Sequence, residues 1–153
     1  MKNKTLPIVE LQENTIAKTR LLMPVSPKYY STAVVDAVFV LKHYIDEHPL
    51  SRKTVPDLLL QTTIGQNMIR NAFREIVGCT IIHYQLQKRF ETAAALLSEE
   101  RHTIQQVAVI CGYRNRLPNF SIDFKKIHGA APREWCKTDR EKSITSREKI
   151  KSL

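Results

Sequence analysis

The apolar residues of this chain recur at helical spacing along most of its length. Val34, Val38, Leu41 and Ile45 fall on one helical face, and Pro49 marks the end of that helix. Thr54 is placed to cap a short helix carrying Val55, Leu58 and Leu59. After the turn Thr62-Thr63-Ile64-Gly65, the positions Ile69, Ala72, Phe73, Ile76 and Val77 form the inward stripe of a helix that Gly78 terminates. A longer helix follows, with Ile82, Leu86, Phe90, Ala93, Ala94 and Leu97 as its expected buried stripe. Thr103-Ile-Gln-Gln106 is a capping box for a short helix bearing Ile104, Val107 and Ala108. Gly112-Tyr113 opens a turn. Pro118 suits the first turn of the next helix, where a missing N–H costs nothing, and Phe120, Phe124 and Ile127 face inward until Gly129. Pro132 opens a last short helix with Trp135. The pattern predicts an all-α fold of about seven helices.

The stretch Ile69–Tyr84 has a counterpart in Phe120–Trp135. Phe73, Gly78 and Tyr84 map onto Phe124, Gly129 and Trp135 at a constant offset of 51 residues. Each copy is a helix whose apolar stripe stops at a glycine and is followed by an aromatic residue. Each is preceded by a short capped helix and a tight turn, so the chain reads as two helix-turn-helix subdomains joined by a long linker helix. These occupy residues 33–137. Residues 1–32 lack sustained periodicity and contain Pro7, Pro24 and Pro27, the pattern of an N-terminal extension. Residues 138–153 are charged and rich in Ser and Thr, the composition of a flexible basic tail.

Charge sharpens the picture. Twenty-four Lys and Arg against fifteen Asp and Glu give a net charge of +9 over 153 residues, which favours a polyanionic partner. In a helix-turn-helix the second helix enters the major groove with its exposed residues at base edges. On the first such helix Gln66, Asn67, Arg70, Asn71 and Arg74 point away from the apolar stripe, with no acid before Glu75. Gln and Asn pair bidentately with adenine, and Arg with guanine. Gln66, Asn67, Arg70 and Asn71 are therefore the candidate base readers of the first unit, with Arg74 on phosphate. On the second helix Asn119, Ser121 and Ile122 lie outside the Phe120/Phe124 stripe and are its candidate readers. Arg114 and Arg116 in the preceding turn, with Lys125 and Lys126, are candidate phosphate contacts.

Other chemistries find little support. Cys79, Cys111 and Cys136 are scattered and odd in number, which fits a reducing cytoplasm better than a disulfide framework. His43, His48, His83, His102 and His128 form no ligand cluster with them, so no metal is expected. There is no glycine-rich phosphate loop and no grouping for nucleophilic catalysis, so neither a cofactor nor an enzymatic activity is expected. No apolar run is long enough to span a bilayer.

With these residues in view, the chain resembles the AraC/XylS family of bacterial transcription regulators, over about residues 34–137. Thr54-Val-Pro-Asp-Leu-Leu59, Ile69-x-x-x-Phe73, Gly78 and Tyr84 match the family's first helix-turn-helix. Arg89, Ala93 and Leu96-Leu97 match its linker helix. Ile104-x-x-Val107-Ala108-x-x-x-Gly112-Tyr113, Phe120-x-x-x-Phe124-Lys-Lys126 and Gly129-x-x-Pro132-x-x-Trp135 are the sharpest match. The resemblance implies a sequence-specific, double-stranded DNA-binding regulator with its recognition helices in successive major-groove segments. A linker of about 17 residues, roughly 25 Å long, is compatible with groove segments recurring about every 34 Å. It further implies a bacterial cytoplasmic, nucleoid-associated protein, with RNA polymerase as a partner. The length leaves no room for a separate effector domain, so a monomer without a small-molecule effector is expected. Leu59 stands where the family has a small residue, Gly65 replaces a Ser, and the turn from Gly112 to Phe120 is one residue longer. Ile122 stands where some members carry a base-reading Arg, and Cys136 where an Arg is common. These departures imply that the first unit specifies and the second clamps. They also keep a second reading open, an adaptor that docks RNA polymerase or another regulator through Leu117, Ile122 and Asp123.

Overall fold

In a computed structural model the described residues are 30–60 and 62–151, the side chains of Arg140 and of residues 143–151 excepted. The extension read over residues 1–32 therefore lies almost wholly outside them. Among the described residues there are seven helices and no strand: α1 (Thr32–Glu47), α2 (Val55–Leu59), α3 (Gln66–Val77), α4 (Ile81–Ser98), α5 (Ile104–Ile110), α6 (Leu117–His128) and α7 (Pro132–Lys151). The chain divides into two compact units, one up to Gln85 and one from Leu86 onward.

The two short helices are set by their caps. At α2, Thr54 Oγ1 accepts from the Asp57 N–H at 3.4 Å while Asp57 Oδ2 accepts from the Thr54 N–H at 2.9 Å. At α5, Gln106 N–H donates to Thr103 Oγ1 at 3.2 Å and the Thr103 N–H donates to Gln106 Oε1 at 2.8 Å. Each box satisfies two backbone donors that a helix end leaves orphaned, worth on the order of 1 kcal/mol. Helices this short do not persist alone, so the caps and the packing together hold them.

In the first unit, α1 packs on α3. Val38, Leu41 and Ile45 meet Leu58, Leu59, Ile69, Ala72 and Phe73 in one buried cluster, which Ile81 and Tyr84 close. Tyr84 sets its ring edge-on to Phe73 at 5.7 Å and donates its hydroxyl to Asp46 Oδ1 at 2.6 Å. Lys42 pairs with the same carboxylate at 2.8 Å. In the second unit, Phe90 is the centre. Its ring meets those of Phe120, Phe124 and Tyr113 at 5.4, 5.8 and 5.9 Å. Trp135 stands edge-on to Phe124 at 6.1 Å. Aromatic pairs in such tilted and T-shaped arrangements contribute about 0.5–1.5 kcal/mol beyond the area they bury.

Two expectations are corrected. Ile82 is not part of the buried stripe of α4 but 67% exposed, and Leu86 is only half-buried. Ile82 lies eight residues before Phe90, about 80° round a helix of 3.6 residues per turn. Ile81 and Tyr84 face inward in its place, because the start of α4 serves the first core and the remainder the second. The last helix was expected to be short, and the segment 138–151, where a tail with no more than transient helix was expected, continues α7. It contains no Gly or Pro and is dense in Lys, Arg and Glu, which carry little penalty in a helix.

Candidate nucleic-acid interface

Each unit presents the second helix of a helix-turn-helix. In the first, α2 precedes α3, with residues 62–65 leading into the second helix. Thr62 Oγ1 stitches the turn by facing the carbonyl oxygens of Leu59 and Ile64 at 2.9 and 3.3 Å. In the second, α5 packs on α6. The turn between them is drawn tight by the Tyr113 N–H donating to the Ala108 carbonyl at 2.8 Å and the Arg116 N–H to the Tyr113 carbonyl at 2.6 Å. Both second helices stop at a glycine in the left-handed region, Gly78 at φ 87° and Gly129 at φ 78°. Each donates its N–H four residues back, to Arg74 at 3.0 Å and Lys125 at 2.8 Å. A Cβ at either position would be strained, so glycine sets the length of the presented helix.

On α3, Ile69, Ala72 and Phe73 are fully buried and hold the opposite face outward. Asn67, Asn71 and Arg74 are exposed and lie three and four residues apart, so they form one stripe along the helix. Gln66 and Arg70 are half-buried and flank that stripe. Glu75, though exposed, is turned to the other flank, where burial and then a hydrogen bond to its carboxylate raise the pKa of the Tyr30 phenol. Amides and guanidiniums at successive turns, with the acid directed aside, can pair with base edges and neutralise phosphate.

The corresponding face of α6 has a different chemistry. Phe120 and Phe124 are fully buried. Asn119 and Ile122 are exposed, whereas Ser121 is half-buried and its hydroxyl already donates to the Leu117 carbonyl at 3.1 Å. Arg114, Arg116, Lys125 and Lys126 are all exposed. Arg114 adopts φ 37°, in the left-handed region that residues with a Cβ seldom occupy. Asp123, the only acid of α6, is half-buried. Its carboxylate accepts from the Tyr113 hydroxyl at 2.8 Å and pairs with Lys126 at 3.3 Å. Burial, reinforced by that hydrogen bond, pushes the Tyr113 phenol well above its ordinary 10.0, so it remains a donor at any physiological pH. The Tyr113–Asp123 pair was not among the candidates from sequence. Its one signal, an acid ten residues after an anchoring tyrosine, becomes meaningful only once the intervening turn is known.

Arg89 is half-buried in α4, near enough to the Tyr113 and Cys111 side chains to bias both towards their ionised forms. Burial outweighs it at Cys111, whose thiol is pushed up to about 11. Burial also raises Cys79. Neither supplies a thiolate nucleophile at neutral pH. Among the described residues no group of three or more His, Cys, Asp or Glu side chains is placed to hold a metal, and no helix is long and apolar enough to cross a membrane.

Two compact helical units, each with a capped first helix and an exposed second helix framed by cations, define a tandem helix-turn-helix protein of the DNA-binding class. A helix-turn-helix domain family model matches residues 60–138, just over half of the chain. The chain belongs to the AraC/XylS family of helix-turn-helix DNA-binding domains. It is similar to the xylose operon regulatory protein of Escherichia coli K12, 28% identical over 69% of this chain and 27% of that protein. It is similar in structure to the C-terminal domain of AraT, a response regulator from Geobacillus stearothermophilus, at 25% identity and TM-score 0.60, covering 72% of this chain and 88% of that one. The DNA-binding domain of AdpA, a global transcriptional factor solved in complex with a target DNA, shares the fold with TM-score 0.60 and 20% identity, over 73% of this chain and 96% of that one. The chain spans only about a quarter to two-fifths of the length of the curated relatives it matches.

Proposed function

We propose that this protein regulates transcription by binding specific double-stranded DNA sequences, with α3 and α6 each seated in the major groove and the two groove segments successive along the duplex. The observation that carries this reading is the exposed Asn67–Asn71–Arg74 stripe on α3, held outward by three fully buried residues and free of acids. Asn67 and Asn71 suit adenine edges, while Gln66 and Arg70 reach the groove from the flank and Arg74 meets phosphate. Arg114, Arg116, Lys125 and Lys126 neutralise phosphates around α6. One chain carries both reading helices, so a single copy engages one site. Acting on a bacterial chromosome places the protein with the nucleoid in the cytoplasm, and its effect is exerted on RNA polymerase at the promoter.

The test is selection of bound duplexes from a random pool, followed by binding measurements at several salt concentrations. Affinity should fall linearly with salt on logarithmic axes as phosphate counterions are released. Arg70→Ala should cost about 1–3 kcal/mol on the selected duplex and little on random duplex. An equal loss on both would sink base reading by α3.

A further inference from the structure

The constant spacing that relates the two buried stripes also relates the two exposed ones. Shifted by the 51 residues that carry Phe73 onto Phe124, Asn67 falls on Pro118, Asn71 on Ile122 and Arg74 on Lys125. The two amides that face outward on α3 are thus replaced on α6 by two apolar side chains at the same helical positions. Pro118 is exposed, and Ile122 is 56% exposed and supports no core. Of the polar side chains beside them, the Ser121 hydroxyl is engaged by the Leu117 carbonyl and the Asp123 carboxylate by Tyr113 and Lys126, while Asn119 is exposed at the start of the helix. Around the apolar pair stand Arg114, Arg116, Lys125 and Lys126, all exposed. An apolar spot framed by four cations matches a surface that is anionic at its edges and carries isolated methyl groups inside. The major groove is such a surface, and the thymine C5-methyl is its one apolar feature.

We propose that α6 reads DNA through methyl groups, with Ile122, backed by Pro118, packing on the C5-methyl of a thymine. This rests on the DNA-binding reading above and adds the chemistry of the second half-site. The first unit recognises hydrogen-bonding edges, and the second recognises a hydrocarbon contact that its cations hold in register.

Deoxyuridine differs from thymidine only in lacking that methyl, so it isolates the contact. Each thymine of the selected duplex is replaced singly, and the full chain is titrated against every duplex. Replacement at one or two positions should weaken binding about fourfold, the effect of one methyl-sized group returned to water. Ile122→Ala should bind the thymine duplex about fourfold more weakly and show no further loss on the uridine duplex. Asn71→Ala should keep the uridine penalty in full. Ile122 lies outside the core, so an unchanged melting temperature should accompany its replacement. Equal wild-type affinity for every thymine and uridine duplex would overturn the proposal. A uridine penalty that survives in Ile122→Ala would overturn it too, as would an Ile122→Ala protein that binds DNA normally, the result expected if this face docks a protein instead. Selection that succeeds without any methyl effect removes this inference alone, whereas selection that yields no preferred duplex removes the DNA-reading function with it.

Discussion

Replacing Tyr113 by Phe removes one oxygen atom and should weaken both the stability of the second unit and its hold on DNA. The ring stays in place, since its neighbours Phe90 and Phe120 lie 5.9 and 5.5 Å from it and touch carbon. The loss is the 2.8 Å hydrogen bond to the Asp123 carboxylate. A hydrogen bond to a charged acceptor contributes about 1.5–3 kcal/mol. Asp123 is only half-buried and keeps Lys126 at 3.3 Å, so the lower end, about 1.5 kcal/mol, is expected. Urea denaturation of the parent, Tyr113→Phe, Asp123→Ala and the double variant closes a cycle in which the helix-propensity gain at position 123 cancels. The coupling should be about 1 kcal/mol or more. The freed carboxylate sits on the helix proposed to meet phosphate, so Tyr113→Phe should also bind duplex more weakly, and Asp123→Ala should abolish that part of the loss. A coupling below about 0.5 kcal/mol, with unchanged DNA affinity, would refute the view that Tyr113 holds the acid aside.

Three further outcomes are expected. Arg114 occupies φ 37° with a full side chain, so Arg114→Asn, a residue that tolerates this region, should stabilise the fold by up to about 1 kcal/mol in urea while weakening DNA binding; a variant that gains neither stability nor loses affinity contradicts the assignment of Arg114 to phosphate. The Thr54 side chain, and next its backbone N–H, hold the Asp57 carboxyl below its ordinary 3.8, so this cap supports the fold above that pH and is lost as pH falls through the lowered folded value. An NMR titration should find Asp57 raised in Thr54→Ala, and an identical titration in both proteins disproves the cause. Cys111 is buried with its thiol pushed up to about 11, so its contribution is complete below the ordinary 9.0 and disappears as pH rises towards 11. At pH 8 a thiol reagent should modify it far more slowly in the native protein than in urea, and equal rates would show the site to be open.

What the sequence made legible was local. Thr54, and Thr103 with Gln106, announce helix starts, and Gly78 and Gly129 announce ends, because caps are set by the backbone groups beside them; the Asp57 half of the first box emerged only in the structure. The buried aromatic positions were legible from their period. The register of α4 was not, since one helix supplies two cores in turn and a single stripe was read through both; Ile82 and Leu86 were the residues misplaced. The candidate readers on α6 were only partly legible. A serine in mid-helix can bond its own backbone four residues back, as Ser121 does, and a list of polar residues does not say which of them are so engaged. The Tyr113–Asp123 bond spans ten residues and a turn with one left-handed Arg, a geometry that residue type alone does not encode.

The two units also show why repetition was easy to see in one part of the pattern and invisible in another. Phe73 and Phe124 are both fully buried, and each must fill a fixed volume, since a void left in a packed core costs several kcal/mol on the order of a large-to-small substitution. The glycines must accept a left-handed turn. Those demands are identical in both copies, so identical residues answer them. Tyr84 and Trp135 already diverge: the tyrosine is buried and bonded to Asp46, whereas the tryptophan is half-buried against Phe124. The outward positions carry no such packing demand. Asn67 and Asn71 on α3, and Pro118 and Ile122 on α6, are equally compatible with the scaffold behind them. An exposed isoleucine alone asks for no special account, since Ile82 is more exposed than Ile122. The proposed thymine contact draws its argument instead from where Ile122 stands, at the position of an outward amide in the other copy and on a helix with exposed Lys125 and Lys126.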